Sequence, residues 1–320
     1  MLPGRSCPLS YRYPPGSFER PAELRAETIY VIGGLYGNLP ALNAIMELAD
    51  AEPIQPTLIF NGDFNWFNID SENFSAINRQ VLRHVALRGN VETELGAVDG
   101  AGCGCVYPDY VDDADVARSN AIMARLQATA SAFPALIQTL AALPTHAVVA
   151  VGGSRFGVVH GDAESLAGWR FAHDSLHDPV NIAWLQQICR SANLAGFVSS
   201  HTCLSAFRRF ADAESSRGHF VINNGAAGMP NFSRTQYGLL SRLSIHPARE
   251  GLAQYGAQFG DVYVDAIPVH YDAVAFQNSF IQNWPEGSPA HHSYFKRIVD
   301  GPAYAAPHAL GLVRAPSVCA

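Results

Sequence analysis

Residues 28–49, TIYVIGGLYGNLPALNAIMELA, leave few folds open, because they read as a strand, a glycine-rich turn and a helix in immediate succession. Thr28 to Ile32 are all β-branched or aromatic, Gly33, Gly34 and Gly37 break that run, and Leu42, Ile45, Met46 and Ala49 then recur at helical spacing. Asn38 is the expected N-cap, with Pro40 tolerated in the first turn. A strand that ends in such a turn puts the polar groups of the turn at the carboxyl edge of a sheet, where open α/β folds gather their chemistry. The loop from Gly33 to Asn38 is therefore expected to line a site.

The pattern repeats downstream. PTLIFNGDF (56–64) predicts a second buried strand ending at Gly62-Asp63; Phe74, Ile77, Val81 and Leu82 mark a helix; and Val85 to Arg88 form a third strand running into Gly89-Asn90. Strand, helix, strand, helix, strand at this spacing predicts parallel α/β pairing, with each strand delivering a polar residue to one edge. Residues 95–111 read as a glycine-rich loop and 116–143 as helix broken at Phe133-Pro134. THAVVAV and RFGVVHG form a hairpin around Gly152-Gly153, ending at His160. A loop with His173 and His177, a helix near 179–192, and the strand AGFVSSH ending at His201 come next, followed by strands in AFRRFA, HFVINNG and 232–266. Beyond about 268 the pattern weakens to a tail with one expected helix near 291–299. Residues 1–24 read as an irregular arm, 25–268 as the main domain and 269–320 as a C-terminal extension packed on it.

Composition narrows the function classes. The 320 residues carry 21 basic against 28 acidic side chains, net charge −7, without a Lys/Arg run, so binding to a nucleic-acid polymer has little electrostatic support. The N-terminal stretch lacks a signal-like apolar core and nowhere do about 18 apolar residues run together, so a cytoplasmic, membrane-free protein is expected. Six cysteines, Cys7, Cys103, Cys105, Cys189, Cys203 and Cys319, are mostly far apart, and reduced thiols are the default expectation.

VIGGLYGNLPAL resembles the opening motif of the calcineurin-like metallophosphoesterase superfamily, usually VISDIHGNLPAL, and LAALPTHAVVAVGGSRFGVVHGD is similar to the Leu-Pro, hairpin, His-Gly succession of the same family. Gly62-Asp63, Gly89-Asn90, His160-Gly161 and His201-Thr202 stand at strand ends in the family's order, over roughly residues 28–266. The resemblance implies an α/β fold with two β-sheets packed as a sandwich flanked by helices, four layers in all. Taken singly, Asp63 and Asn90 also fit turn formers, and His160 and His201 fit satisfied core histidines.

Family members hold two metals, and the resemblance implies a role for each position. Asp63 corresponds to the bridging ligand, and Asn90, His160 and His201 to the remaining ligands of the second metal. Every ligand unique to the first metal is replaced: Gly34 and Tyr36 in the opening turn, and Cys203 in place of the last His. The expectation is one divalent transition metal, Mn, Fe, Zn or Ni, held by Asp63, Asn90, His160 and His201, with Tyr36 partly filling the space beside Gly34. A first site rebuilt from Tyr36, Asp63 and Cys203, with Cys103 or Cys105, is the alternative. Many relatives place a His after the Asn as proton donor; here Val91-Glu92 follow, and Glu92 is not assigned that role. His173 and His177 are read as a solvated surface loop rather than as donors.

Two functions follow from the resemblance. One is a single-metal phosphoesterase, with Asn90, His160 and His201 in the catalytic centre, acting on a phosphomonoester or phosphodiester in a small molecule or a phosphoprotein. The other is an impaired relative that binds a phosphorylated ligand or a protein partner.

Overall fold

The computed structural model describes residues 2–14, 16–97, 100–212 and 215–313; Cys319 and the end of the C-terminal extension lie outside them. In chain order the elements are β1 (Leu24–Ala26), β2 (Thr28–Ile32), α1 (Leu39–Asp50), β3 (Thr57–Asn61), α2 (Ser71–Val81), β4 (Val85–Leu87), α3 (Asn90–Glu94), α4 (Asp113–Ala130), α5 (Pro134–Ala141), β5 (His146–Val151), β6 (Ser154–Val159), α6 (Pro179–Ala192), β7 (Gly196–Ser199), β8 (Ala206–Asp212), β9 (Ser215–Asn223), β10 (Tyr237–Ser244), β11 (Tyr255–Phe259), β12 (Val262–His270) and α7 (Ala273–Asn283), then a π-helical turn His291–Phe295, α8 (Lys296–Asp300) and α9 (Ala306–Ala309).

The strands form two six-stranded sheets, ordered β1-β5-β6-β7-β9-β8 and β11-β12-β10-β2-β3-β4. Both are mixed: β2, β3 and β4 pair in parallel as the strand-helix alternation predicts, whereas β10, β11 and β12 close that sheet in antiparallel fashion. Strand periodicity explains the layering. In β2, Ile29 and Val31 point between the sheets with Phe156, Val158, Phe220, Leu243 and Val264. Tyr30 and Ile32 point outward against Leu42 and Ile45 of α1 and Ile77 of α2. A strand covered on both faces has no solvated side to show, which is why TIYVI is β-branched or aromatic throughout, with the Thr28 and Tyr30 hydroxyls bonded to Ser244 and Glu52. The far sheet is covered in turn by α6, through Leu185 and Cys189 against Val148, Phe197 and Val221. The result is helices, sheet, sheet, helix.

The helix ends follow local chemistry. Asn38 Oδ1 accepts the Ala41 amide at 2.9 Å, capping α1 where expected. Asp70 and Asp178 cap α2 and α6 in the same way. The tail departs from expectation: it carries α7, the π-helical turn, α8 and α9 rather than one helix, and it packs Trp284 and Tyr294 into the helical layer's core. Those elements are short and their buried positions few, so they leave little periodicity to read. Among the described residues no helix is long and apolar enough to cross a membrane, and the five described cysteines are free thiols.

Candidate metal centre

Four strands, two from each sheet, end at one point. Asp63 follows β3, Asn90 follows β4, His160 follows β6 and His201 lies just beyond β7. All four are buried, from 0% exposed at His160 to 6% at Asp63. His160 Nε2 is 3.2 Å from Asp63 Oδ2, 3.2 Å from Asn90 Oδ1 and 3.2 Å from His201 Nδ1. Ligands about 2.0–2.1 Å from one ion stand roughly 3.0–3.4 Å apart along the edges of its polyhedron, so these spacings suit a shared cation.

The far atom of each side chain is tied down by the main chain. His160 Nδ1–H donates to the Asn61 carbonyl at 2.8 Å, and His201 Nε2–H donates to the Cys105 carbonyl at 3.1 Å. Asn90 Nδ2 donates to the Cys103 carbonyl at 2.8 Å, and Asp63 Oδ1 accepts the Val91 amide at 3.2 Å. Fixing the outer nitrogen fixes the tautomer and turns the inner lone pair toward the centre, as the partners behind metal ligands do. The near atoms are thus two imidazole nitrogens, a carboxylate oxygen and an amide oxygen, a donor set that fits a divalent transition metal.

Close backbone approach makes this possible. A Cβ at Gly89 would stand 2.3 Å from Asp63 Oδ1, and one at Gly62, where φ is +78°, would stand 2.5 Å from the Gly89 nitrogen. Strain gathers here as well. Among the described residues eight non-glycines have positive φ, and four of them, Tyr36, Asp63, His201 and Cys203, belong to this edge.

The charges are mutually adjusted. Burial opposes ionisation of Asp63, but the imidazoles of His160 and His201 outweigh it and hold the carboxyl below its usual range. Burial pulls His160 down and the Asp63 carboxylate, which prevails, pulls it up. His201 is pushed down to about 3 by burial and then by His160. The pocket thus favours the ionised carboxylate at Asp63 and the neutral ring at His201.

At the positions that replace first-metal ligands, Tyr36 Oη lies 3.0 Å from Cys203 Sγ, and the Tyr36 ring covers the face of Gly34. Tyr36 is 2% exposed, so it fills the space beside Gly34 rather than pointing to solvent. Among the described residues the one group of three or more His, Cys, Asp or Glu at metal spacing is Asp63, His160 and His201. Cys203, Cys103 and Cys105 stand outside it; Cys203 Sγ faces Tyr36 Oη, and the Cys103 and Cys105 carbonyls serve the centre. His177 is exposed, as expected of a surface loop, whereas the His173 ring is buried. It is 9% exposed, stacked on Tyr304 with 5.1 Å between ring centroids, while His177 lies against Arg208.

Sequence reasoning left Glu92 without a role. Its Oε2 accepts the amides of Asp63 at 2.8 Å and Gly89 at 3.0 Å, and its Oε1 accepts Asn65 at 3.3 Å, so one carboxylate clamps two strand ends together. Burial, then the Asp63 carboxylate, push it up to about 7. The signal was present: Gly89 followed three residues later by Glu is the spacing of a capping acid. Tyr294 was also missed. It lines the central cavity, about 30 Å³, and with Tyr107 and Trp169 lines a second of about 30 Å³ next to it. Each has room for one or two waters.

No family model and no curated protein matches this sequence. Among solved structures the chain is similar to a metallophosphoesterase from Sphaerobacter thermophilus, with 18% identity, a TM-score of 0.53, and 86% of this chain and 99% of that one covered. It is also similar to a hypothetical protein from Pyrococcus horikoshii, with 16% identity, a TM-score of 0.56, and coverage of 86% and 98%. Likeness at these identities speaks to architecture, and two six-stranded sheets with helices on both sides, meeting at one carboxyl edge, are that architecture. The chain has the fold of the calcineurin-like metallophosphoesterases.

Proposed function

We propose that this protein is a phosphoester hydrolase built around one divalent metal held by Asp63, Asn90, His160 and His201. The observation that carries the reading is the orientation of these side chains: each outer atom is bonded to the main chain and each inner donor turns to the same point. A divalent ion bound there supplies Lewis-acid polarisation of a phosphoryl oxygen and a lowered pKa for coordinated water. The chain's own residues hold the donors, keep His201 neutral, and exclude bulk water through Tyr107, Trp169 and Tyr294. One ion rather than two is supported by the replacement of the other family ligand positions by Gly34, Tyr36 and Cys203, with the Tyr36 ring over Gly34.

The cavity walls favour a monoanionic phosphodiester over a dianionic monoester. No Lys or Arg lines either cavity among the described residues, so the second negative charge of a monoester would meet no protein cation. A small phosphodiester is therefore the proposed substrate class, ahead of a phosphoprotein, whose phosphoryl group is a monoester. The first prediction is about one equivalent of Mn, Fe, Zn or Ni in protein purified without chelator, with faster turnover of bis(p-nitrophenyl) phosphate than of p-nitrophenyl phosphate. His160→Ala or His201→Ala should remove both metal and turnover. Metal-free protein, or metal content unchanged in both variants, would sink the reading. The small cavity also fits a protein that keeps its metal to bind a phosphorylated ligand, and one equivalent of metal without turnover of either ester would favour that second reading.

A further inference from the structure

The loop that supplies two of the main-chain anchors is itself held by the N-terminal arm. Cys103 offers its carbonyl to Asn90, and Cys105 offers its carbonyl to both His201 and the Trp169 indole N–H. Between them Gly104 has φ +66° and rests on Tyr11: a Cβ there would stand 2.2 Å from the Tyr11 hydroxyl and 3.2 Å from Asn90 Cβ. Tyr11 is 1% exposed, and its hydroxyl donates to Glu94 Oε1 at 2.6 Å. Glu94 closes α3, the helix that begins at Asn90, and its Oε2 accepts the Ala101 amide at 2.9 Å. Gly4 spans the loop from the other side: its N–H donates to the Ala101 carbonyl at 2.7 Å, and its carbonyl accepts the Tyr107 amide at 2.9 Å. Arg5 reaches further along the loop, to the Pro108 and Val111 carbonyls at 2.8 and 2.7 Å.

We infer that the arm is a latch for the metal centre, with Tyr11 the positioning residue that sets Asn90 and His201 through the Cys103–Cys105 loop. The hydroxyl touches no metal ligand. It fixes Glu94 and supports Gly104, and the carbonyls on either side of Gly104 then aim the amide of Asn90 and the ring of His201. Loss of such an outer partner typically weakens metal affinity about 10–100-fold without removing a ligand. Only the hydroxyl is needed for this, so a phenylalanine keeps the packing and loses the latch.

This inference rests on the metal-binding reading above, and the experiment separates the two. Apo protein is titrated with Co(II), following d–d absorbance and heat, in wild type, Tyr11→Phe, Arg5→Ala and Tyr30→Phe. Tyr30 is the matched control, since its hydroxyl donates to Glu52 at 2.7 Å in a network away from the centre. Tyr11→Phe should bind Co(II) about tenfold more weakly with an altered spectrum. Arg5→Ala, which loosens the arm without touching Tyr11, should show a smaller loss in the same direction, and Tyr30→Phe should match wild type. Wild-type affinity and spectrum in both arm variants would overturn the inference, as would an equal loss in Tyr30→Phe. A wild type that takes up no Co(II) would instead sink the metal-binding reading, and this one with it.

Discussion

A Cβ at Gly34 would stand 2.9 Å from both Cζ and Oη of Tyr36, and φ at Gly34 is +66°. An aspartate at this position, the residue that the family resemblance implies, would therefore displace the tyrosine ring two residues later and take up a left-handed backbone. Gly34→Asp alone should cost about 1–3 kcal/mol, through left-handed strain and displacement of the ring, read as a lower midpoint in chemical denaturation. Gly34→Asp, Tyr36→His and Cys203→His together should recover part of that loss and raise metal content from one equivalent toward two. The changes share one volume, so their effects are not additive. A triple variant that still carries one equivalent, with the single variant as stable as wild type, would show that Tyr36 does not hold that space. The same three residues were legible in the sequence because they interrupt a motif. At Glu92 only the cap on Gly89 was legible, since its bonds to the amides of Asp63 and Asn65 depend on contacts that only folding makes.

At the scale of elements, boundaries followed local chemistry wherever a strand was buried on both faces or a helix carried its own cap. The span of β2 and the start of α1 were readable for that reason. Helix α3 was not: five residues, NVETE, with a buried polar face, have no apolar period to find. Nor was β1, three residues long, or the burial of the arm. The arm also packs over the start of β5, where the His146 ring lies 4.5 Å from Tyr13 and 5.1 Å from Phe18, centroid to centroid. Thr145 Oγ1 is 3.0 Å from its Nδ1, and Nε2 has no hydrogen-bond partner. Burial, then the Arg20 guanidinium, push His146 down to about 4 from an ordinary value of 6.5. Between those values the unfolded chain binds a proton at His146 that the folded chain refuses, so the contribution of His146 to stability is lost as pH falls from 6.5 to 4. Denaturation midpoints of wild type and His146→Phe measured at several pH values should differ by this slope, the wild type losing more stability toward pH 4; parallel profiles would overturn the assignment.

Across the whole molecule, the segment after β12 is part of the structure that surrounds the centre. Trp284 is fully buried with its indole N–H on the Phe67 carbonyl, Tyr294 walls both cavities, and Arg297 donates to the Pro230 carbonyl and to that of Cys203. The two sheets have a different relation to the site. Asp63 and Asn90 hang from one and His160 and His201 from the other, so the donors form a caliper whose jaws are the sheets. Whatever lets one sheet settle toward the other changes the gap that an ion must fill. Leu243→Ala, cutting a void between the sheets, should therefore weaken Co(II) binding, whereas Ile45→Ala, a comparable void on the outer helical face, should lower stability and leave the affinity in place. Equal affinities in the two variants would mean that the jaws are set locally, by the strand ends alone. Otherwise the interior of the sandwich, which contributes no atom to the centre, tunes it from a distance.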